Sequence, residues 1–394
     1  MVQESISKHK TVGIIGGGPA GCICAKFLSD CGIDVTVFDK SKFLHTLLPT
    51  GGGKCNLAHN EYDFKNLAQN YPRGEKFLYS VFSKFSTQET LDFFNSIGVK
   101  TYTREKDNRI FPVSNSSADV REKILKSLKS RLINENIIEI CPHEDKYKIK
   151  SAGNEYLFDY LVVAIGGHSD FNLIKNIGVN IINPVPSVVG FITKEDYTDL
   201  SGVSLKNICA KVDKKEFYGD MLFTHKGISG PLIYEISSVF ARKDIPYDIN
   251  LKFVPEIDLQ NILNENSHKE IKNILAQFIP KSLTQYLLNK LGISSELKSH
   301  QINSKIRDLI LENLYNYKTT VTGKIQDGEV VTCGGVDLKE INSKTLESKS
   351  MQNLYFCGEV LDIDGFCGGF NLQNCWSTGY ITAKSIIDRL EHNS

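Results

Sequence analysis

The residues best suited to chemistry stand near the start of the chain, where Gly16, Gly18 and Gly21 fall at G-x-G-x-x-G spacing within GGGPAG. Gly16 suits a tight turn, Gly18 lets a pyrophosphate approach the backbone, and Gly21 lets a helix pack on the preceding strand. Together with Pro19 and Ala20 they would open a helix whose free N–H groups and positive dipole end attract phosphate. About 20 residues on, Asp39, with Lys40 beside it, ends an apolar run. An acid there accepts from ribose hydroxyls and disfavours a 2′-phosphate, so NAD or FAD suits the site and NADP does not. A lone glycine fingerprint is weak evidence, and its weight comes from the elements around it.

Those elements are present. Thr11-Val12-Gly13-Ile14-Ile15 is a short β-branched run, CICAKFLSDCG has the apolar spacing of a helix ending at Gly32, and Asp34–Phe38 reads as the next strand. Further strands are predicted at Tyr160–Ile165, capped by Gly166 and Gly167, and at Leu354–Glu359, stopping in Gly358-Glu359. EIC, KYKIKS and NEYLFD, just before the first of these, look like the β-meander that many flavin domains insert. A strand returning from the far C-terminus to the first domain is what a flavin fold split by insertions requires. A chain binding NAD alone would continue the alternation of strands and helices after the first motif.

Two further glycine loops belong to this picture. LPTGGGKCNLAHN carries Gly52, Gly53, Lys54, Cys55 and Asn56, and it is expected to fold over a flat ligand, with a mobile surface loop as the plain alternative. In DGFCGGFNLQN, Asp364 precedes Gly368 and Gly369, and a helix begins at Asn371-Leu372-Gln373. Reduced flavin carries negative charge that a helix N-terminus stabilises, so the two glycines are expected to bring the backbone to the ring. Glu359 would then bond the ribityl or pyrophosphate region.

His225, in LFTHKGISGP, is the candidate catalytic residue because histidine titrates near neutral pH. A lone histidine is more often structural. Cys55 and Cys367 could both lie near a flavin, but no CxxC spacing supports a redox pair, and no Cys/His cluster suggests a metal.

Composition excludes several classes. The 46 basic and 46 acidic residues of the 394 balance, so no global field attracts nucleic acid or an anionic membrane. No run approaches the roughly 18 apolar residues of a membrane span, and the polar N-terminus does not read as a signal peptide. A cytoplasmic protein acting on a small molecule, without nucleic acid or membrane partners, is expected. PVPSVVGFIT reads as a linker entering a strand, KNICAKVDKKEF and YDINLKFVP as strands. From Ile257 to Tyr317 the apolar spacing becomes helical, as in HKEIKNILAQFI, with Pro280 and Gly292 at a helix start and end. That segment is expected to serve packing or a homodimer contact.

Seven ordered motifs, GGGPAG, GGGKCNL, RIFPVSNSSADV, AIGG, LFTHKGISGP, CGGVDLKEINSKTLESK and FCGEVLDIDGFCGGFNLQ, run from about residue 11 to 390. On them the chain resembles the BaiN-like flavoproteins, which include aminoacetone oxidases and reductases of unsaturated bile-acid intermediates. The resemblance implies non-covalent FAD in an α/β, Rossmann-like domain with two insertions. The FAD domain would comprise 1–187 and 325–394, a β-rich, barrel-like insertion 188–255 and 316–324, and a small helical insertion 256–315. It also implies an FAD-dependent oxidoreductase that oxidises a small amine or reduces an activated C=C bond; no second G-x-G-x-x-G is visible, so NADH or NADPH, if it is the reductant, would bind transiently. Where the family commonly has Arg, Glu and a Trp-Thr pair, this chain has Lys54, Asp39 and Phe366-Cys367, changes that bear on substrate preference more than on cofactor binding. Two alternatives stay open: an NAD-dependent dehydrogenase, which would purify colourless, and a flavoprotein acting on or with RNA, which the neutral charge disfavours.

Overall fold

The computed structural model describes residues 10–325 and 331–392. The chain divides into two compact units, Met1–Val185 with Val331–Ser394, and Pro186–Val330.

The first unit is built on a parallel sheet of short strands, apolar and largely buried except at the exposed Arg131–Ile133 edge, as parallel strands in α/β folds are. These are β1 (Thr11–Ile15), β2 (Asp34–Phe38), β6 (Arg131–Ile133), β10 (Tyr160–Val163) and β19 (Leu354–Phe356), in the order β19-β10-β1-β2-β6. Helix α1 (Pro19–Asp30) joins β1 to β2. With the long C-terminal helix α12 (Phe370–His392) it covers one face, burying Leu28, Ile386 and Leu390 with Val12, Ile14 and Val35.

The other face is covered by an antiparallel meander of β7 (Glu139–His143), β8 (Lys146–Lys150) and β9 (Glu155–Phe158). Phe158 from the meander lies where a side chain at Gly13 would be; a Cβ there would be 2.5 Å from the ring. Glycine within β1 is therefore a packing requirement.

A small antiparallel sheet, β3 (Ala58–His59), β5 (Arg109–Pro112) and β4 (Thr101–Arg104) in the order β3-β5-β4, lies between α1 and α12 in the chain. Helices α2 (Phe64–Ala68), α3 (Glu75–Phe82), α4 (Thr87–Ser96) and α5 (Ser117–Ser127) accompany it. Trp376 of α12, fully buried, donates to Leu57 O at 2.9 Å and ties the C-terminal helix to β3. After a one-turn helix α6 (Asn172–Lys175), β11 (Ile181–Ser187) pairs with β18 (Val331–Val336) in a two-stranded ribbon. Pro184 and Pro186, expected in a linker, thus lie in a strand, and a ribbon edge is where strand prolines are tolerated.

In the second unit β12 (Phe191–Thr193), β13 (Ser204–Val212), β14 (Lys215–Thr224), β15 (Gly227–Ser229), β16 (Tyr247–Lys252) and β17 (Tyr317–Lys324) close a barrel in the order β12-β15-β14-β13-β16-β17. Helix α7 (Pro231–Val239) follows β15. Helices α8 (Leu259–Glu265), α9 (Ile271–Leu275), α10 (Lys281–Lys290) and α11 (Ser304–Tyr315) lie between β16 and β17. Barrel and helices share one core, in which Phe223 and Ile249 from strands cluster with Ile274, Leu287 and Leu314 from helices. Pro280 caps α10 at its start and Gly292, at φ +67, follows its end, whereas HKEIKNILAQFI yields only the five residues of α9.

Candidate functional site

The glycine fingerprint sits at the carboxyl end of β1, where open parallel sheets bind ligands. Gly16 is at φ +110 with no room for a Cβ, which would lie 2.2 Å from Ala164 O. A Cβ on Gly21 would be 1.9 Å from Gly16 O, so α1 can sit on the β1 turn only with glycine there.

Gly18 differs from both. Its φ of −79 is open to any residue, and a Cβ would meet no protein atom nearer than Thr46 Oγ1 at 3.9 Å. No side chain caps α1, so the first-turn amides are not satisfied by a cap. Packing explains Gly16 and Gly21, while Gly18 opens onto space.

That space is a cavity of about 300 Å³ lined by Gly16 to Ala20, Asp39, Lys40, Thr46, Gly166, Gly167, Gly358 and Glu359, among others. A second cavity, of about 260 Å³, shares Gly16, Asp39, Lys40, Ile165 and Ser169 with it, and runs past Phe38 to Glu135–Ile138 and Leu173. Asp39 is therefore common to both. Its carboxylate is oriented by Gly17 N at 2.8 Å, Ser41 N at 2.7 Å and Ser41 Oγ at 2.8 Å. Ser41, two residues beyond the acid, is a residue the sequence reading missed; an Asp-x-Ser turn after a strand was the available signal.

The C-terminal turn is held by internal contacts. A Cβ on Gly369, at φ +97, would lie 2.5 Å from Ala58 O, and one on Gly368 would lie 2.8 Å from the Phe370 ring. Both glycines thus let the turn rest against β3 and Phe370. Asn56, buried, holds the same turn: its amide oxygen accepts from Gly369 N at 2.9 Å while its nitrogen donates to Ala58 O and Ile110 O. Asn371 closes the loop before it, donating to Gly365 O at 2.9 Å and accepting from Gly365 N at 2.8 Å. Leu372 is half-buried against the cluster around Trp376. Asp364 was expected among the cofactor contacts; its side chain is fully buried, with both carboxylate oxygens accepting from Arg73.

Gly52, Gly53 and Lys54 are exposed on their loop, with Gly53 O accepting from Ser117 N at 2.9 Å. Cys55 follows at φ +61 and is buried in the core, where burial pushes its thiol up to about 12. Cys31 and Cys367 are exposed. Alkylation of the native protein at pH 8 is therefore expected to modify Cys31 and Cys367 well before Cys55. Peptide mass mapping would show it, and early labelling of Cys55 would contradict the packing described. His225 is exposed in the turn between β14 and β15 of the second unit.

His59 and Arg109 were not singled out by sequence reasoning, yet both touch the C-terminal turn. His59 Nδ1 lies 3.2 Å from Gly368 O and its ring stacks on Phe370 at 4.7 Å; Arg109 Nη2 is 3.7 Å from Cys367 Sγ. Burial lowers the pKa of His59, with the bond to Gly368 O opposing.

Comparison with known proteins agrees with this architecture. A family model described as the HI0933-like protein Rossmann domain matches residues 10–385. A ribosomal RNA dihydrouridine synthase of Haemophilus influenzae is 29% identical over 95% of this chain and 97% of its own length. A 3-dehydro-bile acid delta(4,6)-reductase of Clostridium scindens is 27% identical over 96% of this chain and 99% of its own. Among solved structures, 3-ketosteroid delta1-dehydrogenase from Sterolibacterium denitrificans superposes with a TM-score of 0.51 at 11% identity, covering 96% of this chain and 100% of that one, a likeness of fold alone. With its fingerprint seated between β1 and α1 and a family match along nearly its whole length, the chain belongs to the HI0933-like Rossmann-domain family of FAD-binding flavoproteins.

Proposed function

We propose that this chain is an FAD-dependent oxidoreductase that reduces a C=C bond conjugated to a carbonyl group. The observation that carries the cofactor reading is Gly18, whose missing side chain is explained by no protein neighbour and opens onto the cavity. A pyrophosphate lying there would receive the uncapped first-turn amides of α1. Asp39, already oriented by Gly17 and Ser41, would accept from the ribose hydroxyls, with Lys40 at the rim and the adenine end directed towards the cavity at Ile137 and Leu173. Gly166, Gly167, Gly358 and Glu359 also line this cavity. The flavin ring would reach the 366–369 turn, with Lys54 and Asn56 on the neighbouring loop. Bound FAD supplies a ring that takes hydride from a reductant and passes it to an acceptor, leaving the protein to position and desolvate.

The choice of acceptor rests on the relatives. Dihydrouridine is uridine with the 5,6 double bond of its uracil saturated, and a delta(4,6) bond in a 3-dehydro bile acid is conjugated to the 3-oxo group. Both names therefore describe hydride addition to an alkene polarised by a carbonyl. The balance of 46 basic and 46 acidic residues favours a small acceptor, while the Haemophilus relative favours a uracil in RNA.

The test is anaerobic incubation of the FAD-loaded protein with NADH or NADPH and either unmodified ribosomal RNA or a 3-oxo-4,6-diene steroid, followed by mass spectrometry. A gain of about 2 Da, one H₂ equivalent, in one of them is expected. Absence of product in both arms, with hydrogen peroxide formed from a small amine in air, would overturn the reading. No step is assigned to His225.

A further inference from the structure

The small sheet β3-β5-β4 sets a row of side chains beside the C-terminal turn. Antiparallel partners directly opposite one another project to the same face. The pairs His59↔Arg109 and Arg109↔Arg104 therefore line up across all three strands, and Phe111↔Tyr102 forms the next row on that face. Contacts agree with the register. The Arg104 guanidinium lies 4.6 Å from the Phe111 ring centroid, and Tyr102 stacks on Phe111 at 6.2 Å and 30°.

One end of the row meets the turn, through His59 to Gly368 O and Arg109 to Cys367. The face carries two guanidinium groups. Asp107, in the hairpin, takes Arg104 through two bonds of 2.8 and 2.6 Å and meets Arg109 only through Nε at 3.4 Å. One carboxylate against two guanidinium groups leaves the row a net positive charge. Arg109 is 26% and Arg104 31% exposed, partly sheltered yet open to a ligand, and Tyr102 is 38% exposed. A guanidinium is suited to bidentate oxyanion binding and an exposed aromatic face to a flat ring.

We propose that this face is the substrate platform, with Arg109 the receptor for an oxyanion, phosphate or carboxylate, carried by the substrate alongside its reducible ring. The inference rests on the reading above that sets the flavin ring at the 366–369 turn, and it names a substrate class that the reading leaves open. Tyr102, backed by the buried Phe111 ring, offers an apolar flank for the part of the substrate beyond the ring. Arg104, held by Asp107, supports Arg109 by position.

Calorimetric titration of the FAD-loaded protein with two ligand pairs tests it: uridine 5′-phosphate against uridine, and a 3-oxo-4-ene steroid acid against its methyl ester. In at least one pair the anionic member should bind at least about tenfold more tightly, and that pair identifies whether phosphate or carboxylate is the source. Arg109→Gln should bring the pair within about twofold while flavin content and melting temperature stay unchanged, and Arg109→Lys should restore part of the preference. Equal affinities within both pairs, no binding by either anionic member, or a preference that survives Arg109→Gln would overturn the proposal. Failure of the reduction reading is seen separately, as intact anion preference without any product gaining mass.

Discussion

Gly18→Val is expected to yield a folded protein that purifies without FAD. At φ −79 valine is sterically allowed, and the nearest protein atom to its Cβ would be Thr46 Oγ1 at 3.9 Å. The fold should lose only the difference between glycine and valine as helix caps, about 1 kcal/mol. The added methyl groups would instead occupy the space that a pyrophosphate needs over the first turn of α1. FAD affinity should fall by at least about a hundredfold, the loss of one well-placed set of phosphate contacts. Gly21→Val supplies the control. Its Cβ would be 1.9 Å from Gly16 O, so it should unfold or displace α1, at a cost of about 3 kcal/mol or more. Comparing the two apoproteins by thermal melting and by FAD titration separates a ligand glycine from a packing glycine. Similar melting losses in both variants would refute the assignment of Gly18.

The second large effect is expected at Asp364→Asn. This carboxylate is fully buried with Arg73, whose side chain is 14% exposed. Removing one partner of a buried ion pair typically costs about 3–5 kcal/mol. The loss should be felt at the turn, because Asp364 precedes the loop that Asn371 closes on Gly365 and that Asn56 pins at Gly369. Urea unfolding should show a lower midpoint with an unchanged slope, and the flavin spectrum should shift before global unfolding. Replacing both partners together, Arg73→Met with Asp364→Leu, should recover much of the stability, since no buried charge then remains. A single variant as stable as the parent protein would show that the pair contributes little.

These two sites also mark what could be read in the residues. β1, α1 and β2 were legible because strand, glycine turn, helix and acid follow one another within 30 residues, so local propensity and ligand chemistry agree. The meander was legible through its alternating runs, and the return strand through its apolar LYF and the Gly-Glu after it. At the C-terminal turn, Gly368 and Gly369 were assigned to an approaching ring; their close contacts with Phe370 and Ala58 give a further, internal reason for glycine that only tertiary packing reveals. Asp364 looked like a loop acid, and its partner Arg73 lies 291 residues away, beyond any spacing rule. His59 and Arg109 were overlooked because nothing in a two-residue strand or a β-hairpin advertises that both project to one face. Closure of the barrel is likewise long-range, since β12 pairs with β17 across more than a hundred residues, many of them helical.

Reduction of a carbonyl-conjugated C=C bond shows itself in the oxidative half-reaction. The FAD-loaded protein would be photoreduced in the absence of oxygen and mixed with the acceptor that gains mass in the turnover assay. Visible absorbance should return with one acceptor reduced per flavin, and Gly18→Val, lacking flavin, should show nothing. A reduced flavin that is left unchanged by every conjugated acceptor and is reoxidised only when air is admitted would contradict the account.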